Sequence, residues 1–496
     1  MNAKTTTLPA LLRPSFDHAE RPVLVGPWRL SYGELSDTAS RLASVLDAAG
    51  LGPGDRVAYQ MEKSPLVLAL HLAALQMGAV QLPLNPAYTD DEVTPLLHDA
   101  EPTVVVRDPE RAVLAGSWTT LSADASGAGT LAEELAANEL FTRYPHVEPD
   151  DPAALLYTSG TTGRPKGAVL SHANLAHNAR SLVAVWGFTS DDVLLHMLPM
   201  FHTHGLFVAT HCALVSGSAM YFLPRFDLDS AVAALPEVSV VMGVPTHYSR
   251  LLEDDRFNRS GTAHVRVFIS GSAPMPRAVH ARFTATTGQV VLERYGMTET
   301  SMLTSNPLEG PRRPGSVGQV LPGVELRITD DADAVVTADS VGNVQVRGPN
   351  VFGGYWRRPD LQETEFTADG WFRTGDLGRL DAEGWLEVVG RAKDLVITGG
   401  LNVHPSEVEA VLDAVDGVVE SAVVGLPDPD LGEAVTAVVV LAPGAQLTDA
   451  GIRTAARRRL AGFKVPKRVV VAGSLPRNAM GKVEKARLRA QLMRPS

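Results

Sequence analysis

The chain has 496 residues, 45% hydrophobic and 20% charged, which is enough apolar material for a large core and too much for a disordered chain. Its 44 basic and 56 acidic side chains leave a net charge of −12, which argues against coating nucleic acid or an anionic membrane by charge. A single cysteine, Cys212, excludes an intramolecular disulfide; with no apolar run of the ~18–20 residues that span a bilayer and no secretory signal, the expected setting is the cytoplasm.

Strands and helices alternate from the start. Ser31 with Glu34 forms a capping-box pattern, Leu35, Leu42, Val45 and Leu46 recur at helical spacing, and Gly50 ends the helix. A strand is expected over residues 56–60, a helix opening at Ser64-Pro65, and further strands over 79–84, 103–106 and 153–158. Such alternation implies parallel sheets covered on both faces. Residues 122–130 are small and polar and read as a surface loop. Beyond Gly318, short runs at 324–328, 342–347 and 385–389 suggest a smaller β-rich section. Past Lys393 the chain mixes a helix from Ser406, strands over 421–425 and 434–441, and a basic helix over 452–460. That length suits an independent α+β domain.

The most informative segment follows the apolar run at 153–158. In Thr158-Ser159-Gly160-Thr161-Thr162-Gly163-Arg164-Pro165-Lys166-Gly167, glycines permit tight bends, hydroxyls and backbone N–H groups can donate to phosphate oxygens, and Lys166 adds charge. Pro165 before Lys166 excludes a Walker A loop, which ends in Gly-Lys-Ser/Thr.

This segment resembles the signature loop of the adenylate-forming superfamily, which comprises acyl-CoA synthetases, luciferases and peptide-synthetase adenylation domains. The resemblance continues in order through Arg294-Tyr295-Gly296-Met297-Thr298-Glu299, Arg373-Thr374-Gly375-Asp376, Gly390-Arg391-Ala392-Lys393-Asp394 and the lysine loop from Pro476 to Gly481-Lys482. It implies an α/β fold: a large N-terminal domain, residues 1–392, of two doubly wound α/β subdomains plus a small β-rich section, and a small mobile α+β C-terminal domain, residues 393–496. It also implies a two-step reaction. A carboxylate attacks the α-phosphate of ATP, and the thiol of coenzyme A then displaces AMP.

The first step brings two anions together, and a positioned cation lowers that barrier. By resemblance the cation is Lys482. Glu299 would hold Mg²⁺, which prefers hard oxygen ligands, and Thr298 would donate to the α-phosphate. Asp376 and Arg391 would meet the ribose. Gly271, Ser272, Ala273 and Tyr295 would frame the adenine, with Arg294, Gly296 and Met297 beside it. Lys393 would be the hinge on which the C-terminal domain turns, and Gly399 and Gly400 would line the pantetheine channel.

The acyl pocket is expected from residues 201–206, 244–250, 270–273 and 296–302, including His202 and Met302. Arg250 would need an anionic partner inside such a pocket, and a second substrate carboxylate would supply one bidentately. The plainer reading is a surface arginine paired with Glu253 or Asp254. The region resembles the malonyl-CoA synthetase branch, whose malonate-holding positions match Arg250 and Ser272. The resemblance therefore implies malonate, and also methylmalonate, as the acid. His202 and His204 lack zinc spacing and are not read as a metal pair. A ligase for a fatty or aryl acid and a carrier-protein-linked adenylation enzyme stay open. So does a nucleotide-binding regulator without turnover. The expected partners are the small carboxylic acid, ATP and coenzyme A, with no nucleic acid and no membrane, in a monomer or weak homodimer.

Overall fold

The structure, a computed structural model, describes residues 6–159, 165–398, 401–429, 431–478 and 481–493. Two sheets dominate. A nine-stranded sheet runs in the order Gln319–Val320, Ser301–Ser305, Leu292–Met297, Val267–Ser270, Val240–Gly243, Val193–His196, Ala219–Phe222, Pro22–Val25, Leu30–Ser31. Its six central strands are mutually parallel, and antiparallel strands close both edges. A six-stranded sheet runs Thr119–Ser122, Val104–Arg107, Arg56–Gln60, Val80–Pro83, Pro152–Ser159, Pro165–Ser171, parallel except for its last pair.

The local signals expected from the residues are in place. Ser31 Oγ accepts from the Glu34 amide at 3.1 Å and Glu34 returns a bond to the Ser31 amide at 2.8 Å, so the helix Tyr32–Ala48 starts on a complete capping box. Pro65 opens the helix Pro65–Gln76, whose residues 67–75 are all buried. A helix that is apolar on every face belongs between layers, and this one packs into the core cluster shared by both sheets.

A four-stranded antiparallel sheet, Glu325–Thr329, Gly342–Arg347, Phe372–Leu380, Leu386–Arg391, follows the two large ones. Buried Asn174 ties it to the first part of the chain by donating to Pro349 O and Val351 O at 2.8 and 3.0 Å. The C-terminal part has a five-stranded sheet built on Val418–Asp428 and Gly432–Leu441 with its own core cluster. The expected basic helix there spans Asp449–Arg457; it begins earlier than the apolar pattern suggests because Thr448 Oγ1 caps the Gly451 amide at 3.1 Å. Among the described residues, no helix is long and apolar enough to cross a membrane.

Candidate active site

The glycine- and threonine-rich loop is the tip of a hairpin. Pro152–Ser159 pairs antiparallel with Pro165–Ser171, with Thr158 opposite Lys166. The expectations for Gly160, Thr161, Thr162 and Gly163, and for the Ser159 side chain, lie outside the described residues, as do those for Gly399 and Gly400. At the base of the hairpin, Thr158 Oγ1 donates to Glu299 Oε1 at 3.2 Å. Buried Lys166 donates to Glu365 Oε1 at 2.6 Å and lies over the Tyr355 ring.

Glu299 is buried and also accepts from Tyr355 OH at 2.9 Å. Burial raises its pKa, and the hydroxyl donors only partly offset this. No cation among the described residues forms an ion pair with it. A buried carboxylate held by neutral donors suits a hard divalent cation sharing its oxygens; among the described residues no cluster of three or more His, Cys, Asp or Glu forms a metal cage of its own.

The strand Leu292–Met297 turns through Thr298 and Glu299 into Ser301–Ser305, with Gly296 opposite Met302. A side chain at Gly296 would collide with Ser301 O and the Met302 side chain, so the close approach requires glycine. Thr298 is half-buried in the turn and Met302 fully buried. In the antiparallel pairing of Phe372–Leu380 with Leu386–Arg391, Asp376 stands opposite Arg391. Arg391 Nε meets Asp376 Oδ1 at 2.7 Å, and Tyr295 OH donates to Asp376 Oδ2 at 2.5 Å. Tyr295 from the nine-stranded sheet and Arg391 from the four-stranded sheet thus converge on one buried carboxylate.

Lys482 comes from the C-terminal part to the same place. Its loop is closed by the Asn478 amide donating to Lys482 O at 2.9 Å and the Lys482 amide donating to Asn478 Oδ1 at 3.0 Å. The Lys482 side chain keeps solvent contact at the cleft mouth, yet its pKa is lowered, first by loss of hydration and then by Arg391, against the pull of Asp376 and Asp394. Lys393 is exposed in the short turn Ala392–Asp394 that joins the last strand of the four-stranded sheet to the C-terminal sheet.

On the opposite wall, the strand Val193–His196 leads through Phe201 and His202 into a π-helix, His204–Ala209. Such wide turns are frequent at functional sites. Burial lowers the His202 pKa to about 4. His204 is buried, also pushed down by burial and by Arg294, and its Nδ1 meets Ser272 Oγ at 3.3 Å. Ser272 has φ 70°, a left-handed conformation that a serine adopts at a cost. Gly271 leaves room for Arg294, whose guanidinium a Cβ there would strike. Ala273 follows, half-buried.

Arg294 is buried at 4% exposure, with Nε and Nη2 lacking any partner among the described residues. Burial lowers its pKa to about 10. An unpaired buried guanidinium is costly, so this position is incomplete without an anion. Arg250 is exposed on the helix Pro245–Leu251, and neither Glu253 nor Asp254 pairs with it; Asp254 pairs with Arg256. Tyr355 and Glu365, which contact Glu299 and Lys166, are not marked in the sequence. No motif marks them, and their partners lie 56 and 199 residues away.

Residues 15–356 match the AMP-binding enzyme family and residues 407–482 its AMP-binding enzyme C-terminal domain. The chain is 36% identical to an indoleacetate–CoA ligase from Aromatoleum aromaticum, covering 94% of each chain. It is 33% identical to a malonate–CoA ligase from Arabidopsis thaliana, covering 93% of this chain and 84% of that one. The crystal structure of ATP-bound MatB from Rhodopseudomonas palustris superposes with a TM-score of 0.96 at 48% identity over 99% of both chains. With family models on both parts of the chain and CoA ligases matched over nearly its whole length, the protein belongs to the AMP-binding enzymes of the adenylate-forming superfamily and is an acid–thiol ligase that uses ATP and coenzyme A.

Proposed function

We propose that the protein activates malonate, and also methylmalonate, as an acyl-adenylate and transfers the acyl group to coenzyme A. The observation that carries this reading is Arg294, a buried guanidinium whose Nε and Nη2 have no partner among the described residues, beside the neutral His204–Ser272 pair. One carboxylate of the acid reacts and the other completes Arg294. Ser272 adds a neutral donor. Arg250, exposed on the helix Pro245–Leu251 one turn beyond Thr246, which meets the lysine loop at Gly481, is a second cation for the approaching dianion. A site built around a charged partner rejects an analogue lacking it by ~10⁴, whereas one extra methyl costs only ~1–3 kcal/mol. Dicarboxylates are therefore separated sharply from monocarboxylates, and malonate only weakly from methylmalonate.

In the first half-reaction, Lys482 sets its ammonium between the attacking carboxylate and the α-phosphate. Arg391, Asp376 and Asp394 are the charges nearest that ammonium, and a cation positioned where two anions meet lowers the barrier between them. Thr158, Lys166 and Thr298 surround the phosphates, and Asp376 with Arg391 and Tyr295 holds the nucleoside. Mg²⁺, carried by Glu299, would neutralise phosphate charge. The division at residues 392 and 393 then serves the second half-reaction: rotation about Lys393 withdraws Lys482 and presents Gly399 and Gly400 to the thiol. His202 lines the acyl wall as a neutral ring.

The indoleacetate–CoA ligase similarity favours a second reading, an aromatic acid. A pyrophosphate-release panel with malonate, methylmalonate, succinate, acetate, octanoate, benzoate and indoleacetate separates the two. Turnover confined to the dicarboxylates is expected; turnover with indoleacetate and none with malonate overturns the proposal.

A further inference from the structure

Lys166 sits on a fixed backbone. Its strand, Pro165–Ser171, pairs with Pro152–Ser159 on one side. On the other, the Trp356 amide donates to Gly167 O at 2.7 Å and the Val169 amide to Gly354 O at 3.2 Å. The Lys166 side chain is 7% exposed, and Glu365 Oε1, 2.6 Å from its Nζ, is its one ion-pair partner among the described residues. Glu365 ends the short helix Gln362–Glu365, and its side chain is 24% exposed.

The pair touches the group that holds Glu299. Lys166 Nζ lies 5.1 Å from the centre of the Tyr355 ring, and Tyr355 OH donates to Glu299 Oε1 at 2.9 Å. One tyrosine thus stands between the lysine of the hairpin and the carboxylate that suits a divalent cation. A buried ammonium needs a counter-charge. An ammonium also has three N–H donors, and one carboxylate oxygen occupies only one of them. Phosphate oxygens can take several and form strong charge-assisted bonds. They also bring like charge up to Glu365, which is the more exposed partner and can turn toward water. The lysine cannot, because its strand is paired on both sides.

We infer that Glu365 is a positioning residue: it holds Lys166 in place of the outer phosphates of ATP, yields it to them when ATP binds, and takes it back when pyrophosphate leaves. The carboxylate thereby keeps the ammonium charged and aimed, and it competes with pyrophosphate so that the product departs. This rests on the reading above that Lys166 meets the phosphates, and the experiment distinguishes failure of that reading from failure of the inference.

The test measures ATP and AMP binding to the full chain by titration calorimetry, with acid and coenzyme A withheld, in wild type, Glu365→Gln, Lys166→Met and the double variant. Glu365→Gln should bind ATP at least fivefold more tightly, because the competing anion is gone. AMP lacks the outer phosphates and should bind within twofold of wild type, which also reports that the variant is folded; a merely structural role would move both nucleotides. In the Lys166→Met background, Glu365→Gln should change ATP affinity by less than twofold, since no ammonium remains to compete for. Inhibition of turnover by inorganic pyrophosphate should strengthen at least fivefold in Glu365→Gln. ATP affinity unchanged or weakened in Glu365→Gln, with Lys166→Met weakening it, overturns the inference and leaves the phosphate placement standing. ATP affinity untouched by Lys166→Met overturns the phosphate placement and the inference with it. A fivefold tightening that persists without Lys166 also overturns the inference, because Glu365 would then act by another route.

Discussion

Gly481 rests on Thr246. A Cβ built on Gly481 would stand 2.9 Å from Thr246 Oγ1, and Gly481 itself has φ 72°. The contact seats the lysine loop against the start of the helix Pro245–Leu251. Both constraints oppose any side chain at 481, and the left-handed backbone alone costs roughly 1–2 kcal/mol. Gly481→Ala should therefore lower the adenylation rate about tenfold or more while leaving thiol transfer from a supplied acyl-adenylate near wild type. Separate assays of the two half-reactions check this, and equal losses in both would remove the loop's special link to the first step.

Asp376 holds Tyr295 and Arg391 at once. Asp376→Asn keeps the shape and removes the charge that organises both. Hydrogen bonds to charged groups contribute ~1.5–3 kcal/mol, so KM for ATP should rise by about 10- to 100-fold, with a smaller effect on the acid. Initial-rate kinetics with each substrate varied in turn decide the split.

Burial raises the pKa of Glu299, and its donors are the hydroxyls of Tyr355 and Thr158. Glu299→Gln removes a buried charge, so the melting temperature should hold or rise while pyrophosphate release falls by at least about 10²-fold. Joint loss of stability and activity would instead make Glu299 a structural residue.

Glu293 tests the pH linkage. Burial raises its pKa from an ordinary 4.5 to about 7, and it accepts from the Met275 and Gly315 amides, each at 3.3 Å. A raised carboxyl pKa means the folded state binds the proton more tightly. The stabilisation is complete below pH 4.5 and is lost as pH rises through about 7, amounting to about 3 kcal/mol in all. Denaturant unfolding of wild type and Glu293→Gln between pH 4.5 and 8 should show the wild type losing stability relative to the variant as pH rises; a constant difference would contradict the linkage.

Features set by residues near in sequence were legible before the fold was seen. The Ser31–Glu34 capping box, the Pro65 helix start and the ordered motifs ending at Lys482 each depend on neighbours within a few positions. What the residues could not reveal depends on distant partners. Thr158 finds Glu299 across 141 residues, and Lys63 finds His196 across 133. The sequence sets Arg250 in the acyl pocket and Arg294 beside the adenine, both as cations of the cleft. Only the packing of Gly271 against one guanidinium and the exposure of the other tell them apart.

The choice of acid is tested most directly by kcat/KM for malonate against propanoate, which lacks the second carboxylate, in wild type and in Arg294→Met. The variant removes a buried charge that has no ion-pair partner among the described residues, so it should fold at least as well as wild type. A preference for malonate of at least about 10³ in wild type, falling to about tenfold or less in Arg294→Met, is the expected result. A wild-type preference under tenfold, or a preference that survives the substitution, would contradict it.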